Sequence, residues 1–139
     1  MFLFFNKVYV SYGYLSVTSD NCLHSALMHE LGHRKQFKTM FAIIMISMAI
    51  FIQLFLFSKI AILFFLPVGY LFFCWISRLG EYHADHYALR HTSLDSMREF
   101  LIGEGSRLDT RLSKWFYLFR WHPSTVRRYN VLCKLGSLR

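Results

Sequence analysis

Charge is what this chain has least of. Only 17% of its 139 residues are Asp, Glu, Lys or Arg, against 55% hydrophobic and 19% aromatic. An ordinary soluble domain carries about 25% charged residues, so the composition argues against that class. Acidic residues are scarcest: eight Asp and Glu against sixteen Lys and Arg, for a net charge of +8. The basic excess does not point to nucleic acid. No basic run exceeds the pairs Arg34-Lys35 and Arg127-Arg128, and there is no zinc-finger or RNA-binding pattern. Cysteine is sparse as well, since Cys22, Cys74 and Cys133 are an odd number, widely spaced and without Cys-x-x-Cys. That argues against a disulfide scaffold. The apolar residues 1–5 are too short a run, and lack the basic start, for the core of a signal peptide. The length suits one domain with a modest core.

What the chain does have is two long uncharged runs, 39–58 and, beyond Lys59, 60–77. At about 1.5 Å per helical residue, each is long enough to cross a hydrocarbon core of about 30 Å. The pair reads as a transmembrane helical hairpin with Lys59 at its tip. Pro67 and Gly69 are expected to kink the second span, which membrane helices tolerate. Arg34, Lys35 and Lys38 precede the first span and Arg78 follows the second. The positive-inside rule therefore puts both outer ends on the cytoplasmic side. The alternative is a buried hairpin in a soluble protein, and so short a chain could hardly cover two such helices.

Just before the first run stands His29-Glu30-Leu31-Gly32-His33. On a helix the two imidazoles share one face, and the glutamate between them can face the same cavity. Two neutral imidazoles one turn apart can hold one Zn²⁺, and a third protein ligand leaves the fourth tetrahedral position for water. The metal lowers the pKa of that water to about 7 and a carboxylate takes its proton, which makes Glu30 the expected general base. Ser19 and Asp20 are N-cap residues for this helix, and Leu23, Leu27 and Leu31 give it a stripe at i, i+4, i+8. Gly32 costs a helix about 1 kcal/mol relative to alanine, so a close approach of backbone or substrate is expected there. Upstream, Lys7 to Ser11 is β-branched and aromatic and reads as a short strand. Val8, Tyr9 and Val10 could bind substrate by adding its backbone as a further strand, or the strand could simply pack on the helices.

The missing ligand is expected where the chain returns. Glu81 and Asp85 stand at i and i+4 directly after the second span. One carboxylate can bind the metal while the other supports a ligand histidine from behind. Glu81 is the expected third ligand and Asp85 its support. A hairpin returns to the membrane surface it left, so His29, His33 and Glu81 can meet. Without the upstream motif the two carboxylates would read as a solvated face paired with Arg78 or Arg90. His83 and His86 point away from the Glu81 face at about 100° per residue and read as surface or packing residues.

The remainder is less specific. Residues 92–111 are mostly polar and amphipathic, broken by Gly103 and Gly105. From 111 to 121 basic and aromatic residues alternate, among them Lys114, Trp115, Tyr117, Arg120 and Trp121. Such a segment suits a headgroup layer, and it would equally line a cleft for apolar substrate. His122-Pro123 reads as the start of a last helix with proline at its first position.

Taken together, the His-Glu-Leu-Gly-His motif, two spans, Ser77-Arg78-x-x-Glu81-Tyr82-x-Ala84-Asp85-x-x-Ala88 and then His122-Pro123 resemble the HtpX-type membrane-bound zinc metallopeptidases, relatives of the CAAX prenyl proteases. The likeness covers most of residues 7–130, and 8–11 match the family's approach to its motif. It implies a mainly α membrane protein, a zincin-like helical metallopeptidase with a transmembrane hairpin between the zinc motif and the third ligand. It implies one membrane-embedded domain over 1–139 with one Zn²⁺ on His29, His33 and Glu81, and Glu30 as base. By the same likeness His122 would stabilise the oxyanion, a role worth a few kcal/mol, and Arg128, six residues on, matches the family's arginine and would act from the second layer around the site. The implied protein is integral to a cell inner membrane with its site facing the cytoplasm, and cleaves membrane or misfolded polypeptides. Family members usually have further spans before the zinc helix, whereas about twenty residues precede it here. A minimal form, a fragment, or a homo-oligomer that shields the site would each account for this. Gly80 and Ser124 replace the family's common arginine and second proline. Two other functions stay open: a catalytically inactive membrane adaptor, and a CAAX-type protease for prenylated peptides.

Overall fold

The computed structural model describes residues 2–4, 7–57, 59–103 and 116–137. β1 (Phe2–Phe4) and β2 (Lys7–Tyr9) pair antiparallel, with Leu3 opposite Val8. A short helix, α1 (Tyr12–Val17), leads to α2 (Asp20–Phe57). Ser19 caps α2 as expected, its hydroxyl accepting from the Cys22 N–H at 3.2 Å. Motif, basic cluster and first apolar run all lie on this one helix of 38 residues, a rod about 57 Å long. α3 (Lys59–His91) returns alongside it. Pro67 lies inside α3 and removes one backbone donor without ending the helix.

α4 (Leu94–Gly103), a 3-10 turn (Phe116–Phe119) and α5 (Thr125–Gly136) complete the described elements. Residues 104–115, including the start of the basic and aromatic segment, lie outside the described residues, as do the side chains of Val8 and Tyr9. His122-Pro123 precedes α5 instead of opening it. Ser124 is the N-cap, its hydroxyl accepting from the Arg127 N–H, so a serine fills the capping role ahead of Thr125.

The buried face of α2 is not its leucine stripe. Leu23, Leu27 and Leu31 are half-buried, whereas Cys22, Ser25, Ala26, His29 and Gly32 are buried. Small side chains face α3 because the helices run close: a Cβ on Gly32 would lie 2.8 Å from Ala84 Cα and 3.0 Å from its carbonyl oxygen. The close approach expected at Gly32 is thus to the backbone of α3. α4 inserts Met97, Phe100 and Leu101 beside Cys22 and Ala26 of α2, Ala88 and Leu89 of α3, and Leu132 of α5.

This core sits at the motif end of the hairpin. Among the described residues, the other end has none. Phe41, Met45, Ile46, Ile50, Ile52 and Leu56 of α2 are all about half exposed or more. No residue of the most apolar 18-residue window of α2 is buried, and α2 is long and apolar enough to cross a membrane. On α3, Leu66, Val68, Phe72, Phe73 and Trp75 are exposed as well.

Candidate metal centre

His29 and His33 stand one turn apart on α2, and the close packing at Gly32 brings Glu81 of α3 across from them. Their Nε2 atoms are 3.1 Å apart. Glu81 Oε2 lies 3.5 Å from His29 Nε2, and its Oε1 3.5 Å from His33 Nε2. Donors bonded tetrahedrally to one ion at about 2.0–2.1 Å would be separated by about 3.3 Å. The spacing and the donor types therefore suit one small divalent cation, and the three can hold a metal ion.

A second layer holds this group. Asp85 is 1% exposed, and its Oδ1 lies 2.9 Å from His29 Nδ1. That is hydrogen-bond distance, although the N–H is not aimed straight at the oxygen. Arg128, from α5, grips Asp85 with two hydrogen bonds: Nε donates to Oδ2 at 2.7 Å and Nη2 to Oδ1 at 2.6 Å. Its Nη1 is 3.6 Å from Glu81 Oε2. A buried carboxylate needs such pairing. The solvated-face alternative fails, because both carboxylates are buried and Arg78 is engaged elsewhere, donating to the Tyr117 carbonyl at 2.6 Å.

The charges follow from this geometry. Burial alone would depress the His29 pKa, but the neighbouring Asp85 and Glu81 carboxylates outweigh it and push it up to about 9. Burial and the charge on His29 pull His33 down. Burial pulls both carboxyls up, yet His122, His29 and Arg128 hold Glu81 below the usual carboxylate range, and Arg128 and His29 do the same for Asp85. Both are ionised at neutral pH.

A cleft of about 610 Å³ opens over the histidines, with Glu30 and Glu81 in one wall and Trp121, His122 and Thr125 in the other. His122 Nδ1 is 3.1 Å from Glu81 Oε1, while its side chain is 66% exposed. The segment carrying Trp121 and His122 is pinned to α3. Tyr70 OH donates to the Phe119 carbonyl at 3.0 Å, and Trp121 Nε1 donates to Tyr70 OH at 3.1 Å. The Trp121 ring meets Phe73 edge-on at 5.4 Å. Trp121 thus walls the cleft while resting on the apolar half of α3. Val10 is half-buried and is not among the described residues lining the cleft. His83 is exposed and His86 half-buried, neither with the metal-binding group.

The sequence model of peptidase family M48 matches residues 2–135, nearly the whole chain. The chain belongs to peptidase family M48. M48 includes HtpX and relatives of the CAAX proteases, so the likeness read from the motifs holds. No curated protein and no solved structure matches the chain. M48 enzymes are metallopeptidases and act on polypeptides. In this M48 chain, His29, His33 and Glu81 are the group, among the described residues, whose donor atoms could hold a metal ion.

Three residues near the centre escaped the sequence reading. The Phe100 ring lies 5.4 Å from that of His29, and its signal was legible in Met97, Phe100 and Leu101 at i, i+3 and i+4. Ser124 carried a cap signal that the adjacent proline obscured. Gln36 Nε2 is 3.0 Å from His33 Nδ1 and donates to the Gly80 carbonyl at 2.8 Å. Nothing in the local pattern marks that role.

Proposed function

We propose that this chain is a membrane-integrated, zinc-dependent endopeptidase that cleaves membrane or misfolded proteins at the cytoplasmic face. The observation that carries the reading is the convergence of His29, His33 and Glu81 at a cleft that Glu30 also lines. Two histidines and one carboxylate with a position left open is the usual catalytic zinc arrangement. Bound zinc would lower the pKa of water to about 7 and polarise the scissile carbonyl. Glu30 takes the proton from the attacking water and delivers it to the leaving amine. His122, exposed in the facing wall, donates to the developing oxyanion. Asp85, held by Arg128, fixes the His29 ring so that Nε2 faces the metal.

The membrane reading is supported by the exposed apolar halves of α2 and α3, which water would solvate poorly and a bilayer would cover. Arg34, Lys35, Lys38 and Arg78 at the site end, against Lys59 in the turn, favour a cytoplasmic site. In this reading the whole chain is one membrane-embedded domain, and Val8 to Val10 offer a strand edge to substrate backbone. The test is Glu30→Gln. The variant is expected to keep its zinc and lose proteolysis by about 10²–10⁴-fold. Proteolysis at the parent rate would refute the assignment of Glu30.

A further inference from the structure

Apart from the metal group and the charged residues around it, the cleft offers a substrate little apolar surface. We infer that Trp121 is a specificity-determining residue, whose indole forms a subsite for a large apolar side chain beside the scissile bond. The inference rests on the peptidase reading of the cleft.

Trp121 is the one large apolar side chain among the described residues that line the cleft. It keeps 51% of its surface exposed, although its ring is held from behind. Nε1 donates to Tyr70 OH at 3.1 Å, and Tyr70 OH in turn donates to the Phe119 carbonyl at 3.0 Å. The ring edge meets Phe73 at 5.4 Å. An indole has a single polar atom, a donor, and here Tyr70 satisfies it. What remains for a ligand is apolar surface, and covering it leaves no donor unpaired.

A ring fixed in this way loses little conformational freedom when a ligand covers it, so contact with it selects by apolar area. The next residue, His122, reaches Glu81 of the metal group at 3.1 Å. A side chain resting on Trp121 therefore belongs to a substrate residue close to the bond that is cut. Tyr70 and Phe73 are exposed members of the apolar half of α3. Trp121 thus stands where that surface meets the cleft, a boundary that suits tryptophan if the surface is covered by lipid. Folded soluble proteins bury most of their large apolar side chains. Misfolded chains, and chains leaving a bilayer, present the residues that this subsite takes.

The experiment measures binding of two fluorescent Ala/Ser peptides, identical except for Phe or Ser at the centre, to the zinc-loaded full chain in one detergent. Glu30→Gln is the background, so that binding is read without cleavage, and Trp121 is kept or changed by Trp121→Phe or Trp121→Ala. The Phe peptide is expected to bind about tenfold tighter than the Ser peptide. Trp121→Phe should keep most of that difference and Trp121→Ala should abolish it, with zinc content unchanged. A difference that survives Trp121→Ala would overturn the inference. Equal weakening of both peptides would overturn it too, because Trp121 would then only brace the segment that carries His122. Equal binding of the two peptides where Trp121 is kept does the same, even if Trp121→Ala does not fold. Casein digestion by the zinc-loaded parent tests the reading beneath. Cuts beside large apolar residues, losing that preference in Trp121→Ala, support both, whereas intact casein with the Phe preference present refutes the peptidase reading and leaves the subsite standing.

Discussion

Replacing Gly32 by alanine sets two effects of opposite sign against each other. Alanine favours the helix by about 1 kcal/mol. Against that, the new Cβ would lie 2.8 Å from Ala84 Cα, 3.0 Å from Ala84 O and 3.2 Å from Ala84 Cβ, all inside ordinary contact distance. Two of these are backbone atoms of α3, which cannot swing aside as a side-chain tip can. The helices have to separate by several tenths of an ångström, and overpacking of this kind costs about 1–3 kcal/mol. Because the obstruction is rigid, the upper part of that range applies, leaving a net loss of about 1–2 kcal/mol after the gain in propensity. The same separation widens the 3.5 Å gaps between Glu81 and the histidines, so zinc affinity is expected to fall about tenfold or more. Thermal unfolding of metal-free protein and chelator competition read the two effects separately. A midpoint equal to or above the parent's, with zinc affinity unchanged, would refute the argument that Gly32 sets the distance between ligands.

Other outcomes follow from the same structure. Arg128→Met leaves buried Asp85 without its two guanidinium hydrogen bonds and with His29 alone beside it, and is expected to cost about 3–5 kcal/mol in denaturant unfolding, with zinc affinity reduced as well. Met97→Ala removes a fully buried side chain from α4 and is expected to cost about 2–5 kcal/mol; a loss under about 0.5 kcal/mol would mean that α4 is not part of the core. The raised pKa of His29 means that metal-free protein keeps this residue's stabilisation below about pH 6.5 and loses it as pH rises through about 9. The full contribution is on the order of 3 kcal/mol. Zinc requires the neutral imidazole, so the stabilisation conferred by zinc should grow over the same interval. Thermal midpoints with and without zinc between pH 6 and 9 check both signs.

Much of the centre was legible because its signals are short-range. The spacing of His29 and His33, and of Glu81 and Asp85, is a property of one helical turn, and the uncharged runs announced the long paired helices. The packing was less legible. The leucines of α2 looked like its buried face, yet the close approach of α3 selected Cys22, Ala26 and Gly32, a choice made by the partner helix. Arg128 reached Asp85 across 43 residues; the family likeness had marked the arginine, but nothing in the sequence named its partner. Gln36 donates to a carbonyl 44 residues away, which no local pattern encodes. The role of α4 was understated, since Phe100 lies beside His29 while residues 92–111 read only as a mostly polar, amphipathic stretch.

The central claim is that His29, His33 and Glu81 hold one catalytic metal. The most direct test is zinc content per chain in detergent-purified, metal-replete protein, for the parent and for Glu81→Ala. About one zinc per parent chain, weakened or lost in the variant, is the predicted result. A folded parent without zinc, or a variant that holds zinc as tightly as the parent, would contradict the account.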